Sequence, residues 1–206
     1  MPDDYHFYRP GEGHGLAHDP LNAIIGPRPI GWVSTVAADG SVNLAPYSFF
    51  NAFAYRPPII GFSSTGAKDS LRNAEATGEF IWNIATRALA EKMNASSAPV
   101  PHGVSEFDVA GLTQAPSRMV APPRVAESPV NFECKVTQIV RLEDRHHAPV
   151  DAWLVIGEVV GAHIRRDLIN KGVFDTFGAD IILRAGGPTA YVHVTPETRF
   201  DMQRPE

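Results

Sequence analysis

IGWVSTVAADGSVNLAPYSFF, at residues 30–50, contains two strand-like runs on either side of the dipeptide Asp39-Gly40. β-Branched and aromatic residues are frequent in both runs, which is typical of residues that pack on a pleated sheet. An Asp-Gly dipeptide between such runs is the strongest short-range signal for a β-hairpin. The stretch therefore predicts an antiparallel hairpin whose strands cover residues 30–37 and 41–50.

Pro46 interrupts the second predicted strand. Because proline has no N–H to donate to a sheet, this position indicates a sheet edge, a bulge or a surface that faces a ligand. Asn43, Ala45 and Ser48 lie close to it, and Thr35 lies on the paired strand. A cofactor ring that rests on a strand edge needs exposed main chain and little side-chain bulk, and these residues supply both. An ordinary hairpin with small surface residues is the alternative.

Outside this hairpin the chain continues with short strand-like runs that are separated by turn signals. Two long runs joined by a polar segment predict a second hairpin, and regular alternation of strands and helices is absent from the sequence. Many strands with turns between them favour a mainly β fold, a closed or partly closed antiparallel barrel with short peripheral helices. The predicted strands are residues 59–64, 79–85, 130–142, 152–164, 181–183 and 190–194, the helices 71–77 and 88–94, a helical turn 167–177 and a long loop 96–129.

The composition fits one globular domain with appendages. The chain has 206 residues, of which 44% are hydrophobic and 20% are charged, close to the values of ordinary folded domains. Residues 1–27 are polar and rich in Gly, Pro and His, and we interpret them as an N-terminal arm. Residues 28–194 form the predicted barrel domain, and residues 195–206 form a C-terminal tail.

Several classes of protein are disfavoured by the charge and the sequence pattern. The net charge is −5 and no dense Lys/Arg run is present, which argues against nucleic acids and anionic membranes as partners. No run reaches the roughly 18 apolar residues of a membrane span, and the N-terminus lacks a signal-peptide core, so we expect a cytoplasmic protein. The single cysteine, Cys134, lies in a predicted strand and is expected to be buried. The histidines lack metal-ligand spacing, so no metal site is predicted.

A candidate anion site follows the predicted strand at residues 59–64. The strand ends in Ser63 and Ser64, and a glycine-containing turn leads to Lys68 and a short helix for which Asp69 or Ser70 is a suitable N-cap. The first turn of a helix has free N–H groups and partial positive charge, so hydroxyls, an ammonium group and these amides together suit a phosphate monoester. The alternative is a plain strand–turn–helix with a capping aspartate and a solvated lysine.

A set of short motifs occurs in a fixed order over residues 28–164. Each motif alone is weak, but their order and spacing resemble the flavin reductase-like, FMN-binding split-barrel family. The motifs are RPIGWVST at 28–35, NLAPYSFFN at 43–51, KDSLRN at 68–73 with TGEF at 77–80, PHGVSEF at 101–107, GL at 111–112, and PRVAESP at 123–129 with FEC at 132–134.

The resemblance implies a split antiparallel β-barrel, in a homodimer that binds FMN near the subunit interface. It assigns the flavin ring to one stretch and the phosphate to the candidate anion site. The implied cofactor-binding residues are Thr35, Asn43, Ala45, Pro46, Tyr47, Ser48 and Phe49 at the ring, and Ser63, Ser64, Lys68, Asp69 and Ser70 at the phosphate. This sequence departs from the family in its short loop at 63–67 and in Ser70, where threonine is commoner.

The function implied is hydride transfer from NADH or NADPH to FMN. Backbone N–H groups of residues 45–49 would meet the charge that develops on the flavin, and no side chain is predicted to be catalytic. Reduced FMN would pass to a monooxygenase or another redox partner. The alternatives are a non-catalytic, flavoredoxin-like electron-transfer protein, a barrel that binds no flavin, and a flavoenzyme with a substrate pocket in the 96–129 loop. His163 is the histidine that we would place on the nicotinamide side, with a partly exposed strand residue as the alternative.

Overall fold

The computed structural model describes residues 4–101 and 104–205. Residues 1–3 of the predicted arm, residue 206 of the predicted tail, and His102 and Gly103 of the PHGVSEF motif lie outside the described residues. The described part contains four α-helices, four short 3₁₀ turns and fourteen strands.

The strands are β1 Arg28–Pro29, β2 Gly31–Val36, β3 Val42–Tyr47, β4 Phe50–Ala54, β5 Ile59–Thr65, β6 Glu79–Asn83, β7 Gln114–Ala115, β8 Arg124–Val125, β9 Val130–Glu143, β10 Pro149–Ile164, β11 Ile169–Asn170, β12 Val173–Phe174, β13 Ile182–Arg184 and β14 Tyr191–His193. The helices are α1 Leu21–Ile24, α2 Asp69–Thr77, α3 Ala90–Ala95 and α4 Glu106–Val109. The 3₁₀ turns are Pro10–Glu12, Arg87–Leu89, Arg166–Leu168 and Pro196–Thr198.

Seven antiparallel strands form the main sheet, in the order β3-β2-β6-β9-β10-β5-β4. The predicted β2–β3 hairpin is confirmed, with a register that runs from Gly31 opposite Tyr47 to Val36 opposite Val42. Its turn places Gly40 at φ +88°, a conformation that glycine adopts without strain. The predicted hairpin of the two long runs is confirmed as β9–β10.

The sheet curls into a split barrel, which confirms the predicted mainly β fold. The β9–β10 pairing shifts register between Ile156 and Gly157 and again between Val159 and Gly161. Such irregularities bend a strand and increase its twist. Gly157 also permits close packing, because a Cβ there would lie 2.5 Å from the ring carbon Cε1 of Phe80. The long hairpin therefore wraps around the core instead of remaining flat.

Apolar side chains fill both faces of the sheet near its centre. Trp32 and Val33 are adjacent on β2 and point to opposite faces, yet both are fully buried. The core inside the barrel contains Val33, Tyr47, Phe50, Ile60, Phe62, Leu71, Ala74, Phe80, Cys134 and Val155. The second core, under α3 and α4, contains Ile30, Trp32, Leu44, Ala85, Leu89, Met93, Phe107, Ala110, Leu112, Val125 and Ile182. The expected burial of Cys134 is confirmed, and this burial raises the pKa of its thiol.

Two local predictions are wrong. Helix α2 begins earlier than expected, with Lys68 as its N-cap and no side-chain capping bond, so neither Asp69 nor Ser70 has the N-cap role. The predicted helical turn at 167–177 is helical only at Arg166–Leu168, and the chain then forms the β11–β12 hairpin. Lys171 and Gly172 both have positive φ there, as a tight two-residue turn requires.

A small three-stranded sheet lies beside the barrel in the order β1-β13-β14. It joins the start of the predicted barrel domain to the end of that domain, with Arg28 directly opposite Arg184. In the described residues no helix has the length and apolar character to cross a membrane.

Candidate functional site

A cavity of about 490 Å³ lies between the outer edge of β3, the end of β5, the start of α2 and residues 96–100. This volume is in the range of small-molecule sites. All of the predicted cofactor residues except Thr35 and Ser64 line it, although the ring and phosphate groups came from separate parts of the sequence. These residues are Asn43, Ala45, Pro46, Tyr47, Ser48, Phe49, Ser63, Lys68, Asp69 and Ser70.

Thr35 and Ser64 do not line the cavity, and both are fully buried. The Thr35 hydroxyl accepts a hydrogen bond from Asn73 Nδ2 at 3.1 Å, and Ser64 Oγ donates to the carbonyl of Gly66 at 3.0 Å. Successive side chains of a strand point to opposite faces, so adjacent residues of β5 cannot both reach the same site. The chain presents Ser63 and Thr65 to the cavity, and Thr65 is a lining residue that the motif comparison missed.

The edge position of β3 explains Pro46. Leu44 N donates to the Glu106 carboxylate at 2.9 Å, so this N–H points away from β2. Along an antiparallel strand, successive N–H groups point alternately toward and away from the partner strand. Pro46 is two residues after Leu44, so an N–H at this position would also point away from β2. Proline therefore costs no ladder bond here, and the strand continues to Tyr47 instead of breaking. The predicted edge is confirmed, since β3 is the first strand of the main sheet.

Lys68 and the first turn of α2 lie at the other end of the cavity. The helix spans nine residues, and its first intrahelical bond is donated by Arg72 N to Lys68 O. The N–H groups that precede Arg72 in the helix have no partner within it. Asp69 is half-exposed and its carboxylate lies 3.5 Å from Arg72 Nη1. This end of the cavity thus offers a lysine, hydroxyls and helix N–H groups to an anion.

Glu106 is a buried carboxylate on the cavity wall that the sequence analysis did not single out. Asn43 links it to Ser70: the Asn43 amide lies 2.7 Å from Ser70 Oγ, and its nitrogen faces Glu106 Oε1 at 3.2 Å. Burial raises the pKa of Glu106, and the hydrogen bond from Leu44 N partly opposes this shift. The only sequence signal was the PHGVSEF motif, in which Ser105 caps α4 by accepting from Phe107 N.

The raised pKa of Glu106 predicts a pH-dependent stability. A carboxyl group whose pKa is higher in the folded state stabilises the fold fully below its unfolded pKa and loses this contribution as pH rises through the folded pKa. Above pH of about 4.5, the ordinary value, the stability advantage of the parent protein over Glu106→Gln should therefore shrink. Thermal denaturation of both proteins across a pH series measures this.

Glu75→Gln is the matched control for this measurement, because Glu75 is an exposed glutamate on α2, whereas Glu106 is buried on α4. Its stability relative to the parent protein should change little with pH. If the difference in stability between the parent protein and Glu106→Gln stayed constant or widened with rising pH, the raised pKa of Glu106 would be wrong.

Tyr47 forms part of the cavity floor. Burial raises the pKa of its hydroxyl, although the Ser70 and Ser64 hydroxyls act in the opposite direction. Its ring lies 4.6 Å from that of Phe62, which is fully buried inside the barrel. The barrel core therefore supports the floor of the cavity directly.

Residues 96–100 form the wall opposite β3. Ser96 is buried, accepts a hydrogen bond from Trp32 Nε1 at 3.0 Å and donates to Met93 O at 2.7 Å. These bonds attach the wall to the second core. The start of the predicted long loop thus borders the cavity, and the rest of that segment contains α4, β7 and β8.

His163 does not line this cavity. Its Nε2 lies 2.5 Å from Oε1 of Glu133, which is fully buried and also accepts hydrogen bonds from Arg118 N and Met119 N. His163 pairs with Asn131 at the start of β9, whereas Ser63 of the cavity pairs with Leu154 near the other end of β10. The structure therefore does not place His163 beside the predicted flavin site.

Known proteins resemble this chain over most of its length. The family model described as "Flavin reductase like domain" matches residues 26–178. An uncharacterized protein of Halalkalibacterium halodurans is 37% identical over 166 residues, which are 78% of this chain and 79% of that protein.

Two solved structures are similar in fold and sequence. Nitrilotriacetate monooxygenase component B of Bacillus cereus has a TM-score of 0.81 and 31% identity, covering 91% of this chain and 98% of that one. The 2-nitrobenzoate 2-nitroreductase of Pseudomonas fluorescens has a TM-score of 0.78 and 28% identity, covering 89% of this chain and 88% of that one. A split barrel protein of Shewanella frigidimarina shares the fold, with a TM-score of 0.78 at 22% identity over 89% of this chain and 90% of that one.

Proposed function

Because the chain belongs to the flavin reductase-like family, we propose that it binds FMN in the 490 Å³ cavity and acts as an NAD(P)H-dependent flavin reductase. Family membership implies a flavin as cofactor or substrate, and the choice of FMN is our proposal. One observation carries it: residues expected at the ring and residues expected at the phosphate line a single cavity.

The edge of β3 suits the flavin ring. Ala45 and Pro46 are small and leave the main chain open toward the cavity. Pro46 has no N–H. The N–H groups of Ser48 and Phe49, which follow the last residue paired with β2, would therefore serve as donors to the electron-rich edge of the ring. From the sequence we expected backbone N–H donors anywhere in residues 45–49, and the proposal now limits them to Ser48 and Phe49.

The start of α2 suits the FMN phosphate. Lys68 supplies a positive charge, and the free N–H groups of the first helical turn add directed donors. The hydroxyls of Ser63, Thr65 and Ser70 line the same end of the cavity. FAD would need space for a second phosphate and an adenosine beyond this end, so a monophosphate is the better match to these groups.

A bound flavin supplies the chemistry, because it accepts a hydride from a reduced nicotinamide and passes the electrons on. The residues of this chain position the ring, neutralise the phosphate and limit the access of water. No side chain has to act as a general acid or base for hydride transfer.

A homodimer and a redox partner belong to the same proposal. β4 is an edge strand on which Phe53 is 53% exposed, and Tyr55 just after it is 83% exposed. An exposed edge with aromatic side chains is a suitable surface for a second copy of the chain. The similarity to a monooxygenase component B supports a monooxygenase as the acceptor of reduced flavin. A cytoplasmic location stays a prediction from the sequence.

The test is to purify the protein, add FMN or FAD, and follow the absorbance of NADH and NADPH. Oxidation of either nicotinamide that depends on FMN supports the proposed reductase. FMN that stays bound through purification without nicotinamide oxidation would favour the flavoredoxin-like alternative. A protein that is colourless and shows no change in melting temperature with FMN would reject flavin binding altogether.

A further inference from the structure

Arg28 and Arg184 form an unusual pair of like charges. They lie directly opposite each other on the antiparallel strands β1 and β13. Like charges at directly opposite positions of paired strands destabilise a sheet. Arg28 is 9% exposed and Arg184 is half-buried, so water screens this repulsion less than it would on an open surface. Consistently, burial and the nearby Arg184 both lower the pKa of Arg28.

Among the described residues, the hydrogen-bond partners of the Arg28 guanidinium group are neutral oxygen atoms. It donates to the carbonyl groups of Asn22 at 2.8 Å, Ile25 at 2.7 Å and Ser48 at 2.8 Å. Its remaining bonds go to Ser48 Oγ at 3.2 Å and Asn22 Oδ1 at 3.4 Å. The group also lies 5.2 Å from the ring centroid of Phe49, which lines the flavin cavity. These contacts hold the group in place without neutralising its charge.

Arg184 has the same kind of surroundings. Its guanidinium donates to the carbonyl groups of Gly187 at 2.9 Å, Pro188 at 2.7 Å, Ala190 at 2.6 Å and Ala185 at 3.4 Å. It also lies 5.0 Å from the ring centroid of Tyr191. In the part of the chain that the structure describes, the ion pairs involve other residues. Neither arginine therefore has a carboxylate partner among the described residues. Because the N–H groups already have oxygen partners, an anion is attracted here by the positive charge of the two groups.

The two arginines border a second cavity of about 260 Å³, which adjoins the first one at Ser48. Asp19 and His18 of the arm also line it. The Asp19 carboxylate accepts a hydrogen bond from Leu21 N at 2.9 Å, and it is the one acidic side chain on the lining described. Two cations against one carboxylate leave this cavity positive, in a chain whose net charge is −5.

We propose that Arg28 and Arg184 create an anion subsite beside Ser48, which takes the carboxylate or phosphate group of the small molecule that exchanges electrons with the flavin. The inference rests on the proposed function, because it places this molecule next to the flavin ring. Two positive charges at the rim of the flavin cavity attract and orient an anionic substrate. A bound anion also removes the repulsion between the paired arginines.

Anion binding is tested on the FMN-saturated protein by its melting temperature, with inorganic pyrophosphate and benzoate as separate probes. At a probe concentration about 100-fold above Kd, the melting temperature should rise by about 5–10 °C. A larger rise in melting temperature with pyrophosphate identifies a phosphate as the preferred group, and a larger rise with benzoate identifies a carboxylate. Arg184→Gln should abolish the rise, whereas Arg184→Lys should keep part of it. Arg145→Gln removes the same charge from the exposed β9–β10 turn and should behave like the parent protein.

An equal rise in Arg184→Gln, or no rise in the parent protein with either probe, would overturn the subsite. If FMN does not bind, the melting temperatures with and without Arg184→Gln are compared in protein that also carries Lys68→Gln. The second substitution weakens binding of the probes at the proposed phosphate site. The proposed function would then fail while the anion subsite is still decided on its own.

Steady-state kinetics separates substrate binding from a general structural effect of the substitution. Arg184→Gln should raise the KM for the preferred nicotinamide dinucleotide about 10-fold with little change in kcat. The rate with 1-benzyl-1,4-dihydronicotinamide, which carries no phosphate, should stay unchanged. Equal losses with both reductants would mean that Arg184 only supports the loop after β13, and the proposal would be wrong.

Discussion

FMN should bind the Lys68→Gln variant about 10- to 100-fold more weakly than the parent protein, because a charge-assisted hydrogen bond contributes roughly 1.5–3 kcal/mol. Lys68 lies at the N-cap of α2 and lines the proposed phosphate end of the cavity. Riboflavin has the same ring and no phosphate, so its affinity should change little. Titration with quenching of flavin fluorescence measures both dissociation constants.

Lys171→Gln is the matched control, because Lys171 lies in the exposed β11–β12 turn and does not line the cavity. Both flavins should bind this variant as they bind the parent protein. If Lys68→Gln weakened riboflavin as much as FMN, the phosphate assignment would be wrong even though the cavity still bound flavin.

Phe62→Ala should lower the free energy of unfolding by about 3–5 kcal/mol, which is about 6–20 °C in melting temperature for a chain of this length. Phe62 is fully buried on β5, 4.6 Å from the ring of Tyr47 and 5.5 Å from that of Phe80. Its removal would leave a void beneath the floor of the 490 Å³ cavity, which Tyr47 helps to form. Thermal or urea denaturation measures the loss.

Phe200→Ala is the control for this substitution, because Phe200 is 77% exposed. It should change stability by no more than about 0.5 kcal/mol. A loss of less than 1 kcal/mol in Phe62→Ala would show that the core of the barrel is not packed around this ring as described.

The predictions from local pattern held for the longer strands β2, β5, β6, β9 and β10 and for the end of α2. The predicted strand at 41–50 ends at Tyr47, and the separate strand β4 that begins at Phe50 was not predicted. The Asp39-Gly40 turn and the end of α2 at Thr77 each depend on residues close in sequence. Gly78 follows that helix in the left-handed conformation, which glycine adopts without strain. The N-cap prediction failed, since the helix already includes Asp69 and Ser70; the hydroxyl of Ser70 instead bonds Asn43, a residue 27 positions away.

The candidate site was predicted only in part, because it too depends on contacts between residues far apart in the chain. The motif comparison treated Ser63 and Ser64 as equivalent, but strand geometry sends one to the cavity and the other to the core. Glu106 could not be recognised, since its role depends on Leu44 N, 62 residues earlier in the chain. The cavity itself exists because β3, β5, α2 and residues 96–100 meet in space.

By itself, the sequence determined a mainly β fold, the main hairpins and the residues that resemble a flavin site, because turn chemistry and side-chain periodicity act over a few positions. Only the tertiary structure decided which of those residues share a surface. It also brought Arg28 opposite Arg184. Contacts of this kind join residues far apart in the chain, and no local pattern encodes which distant partner a side chain will meet.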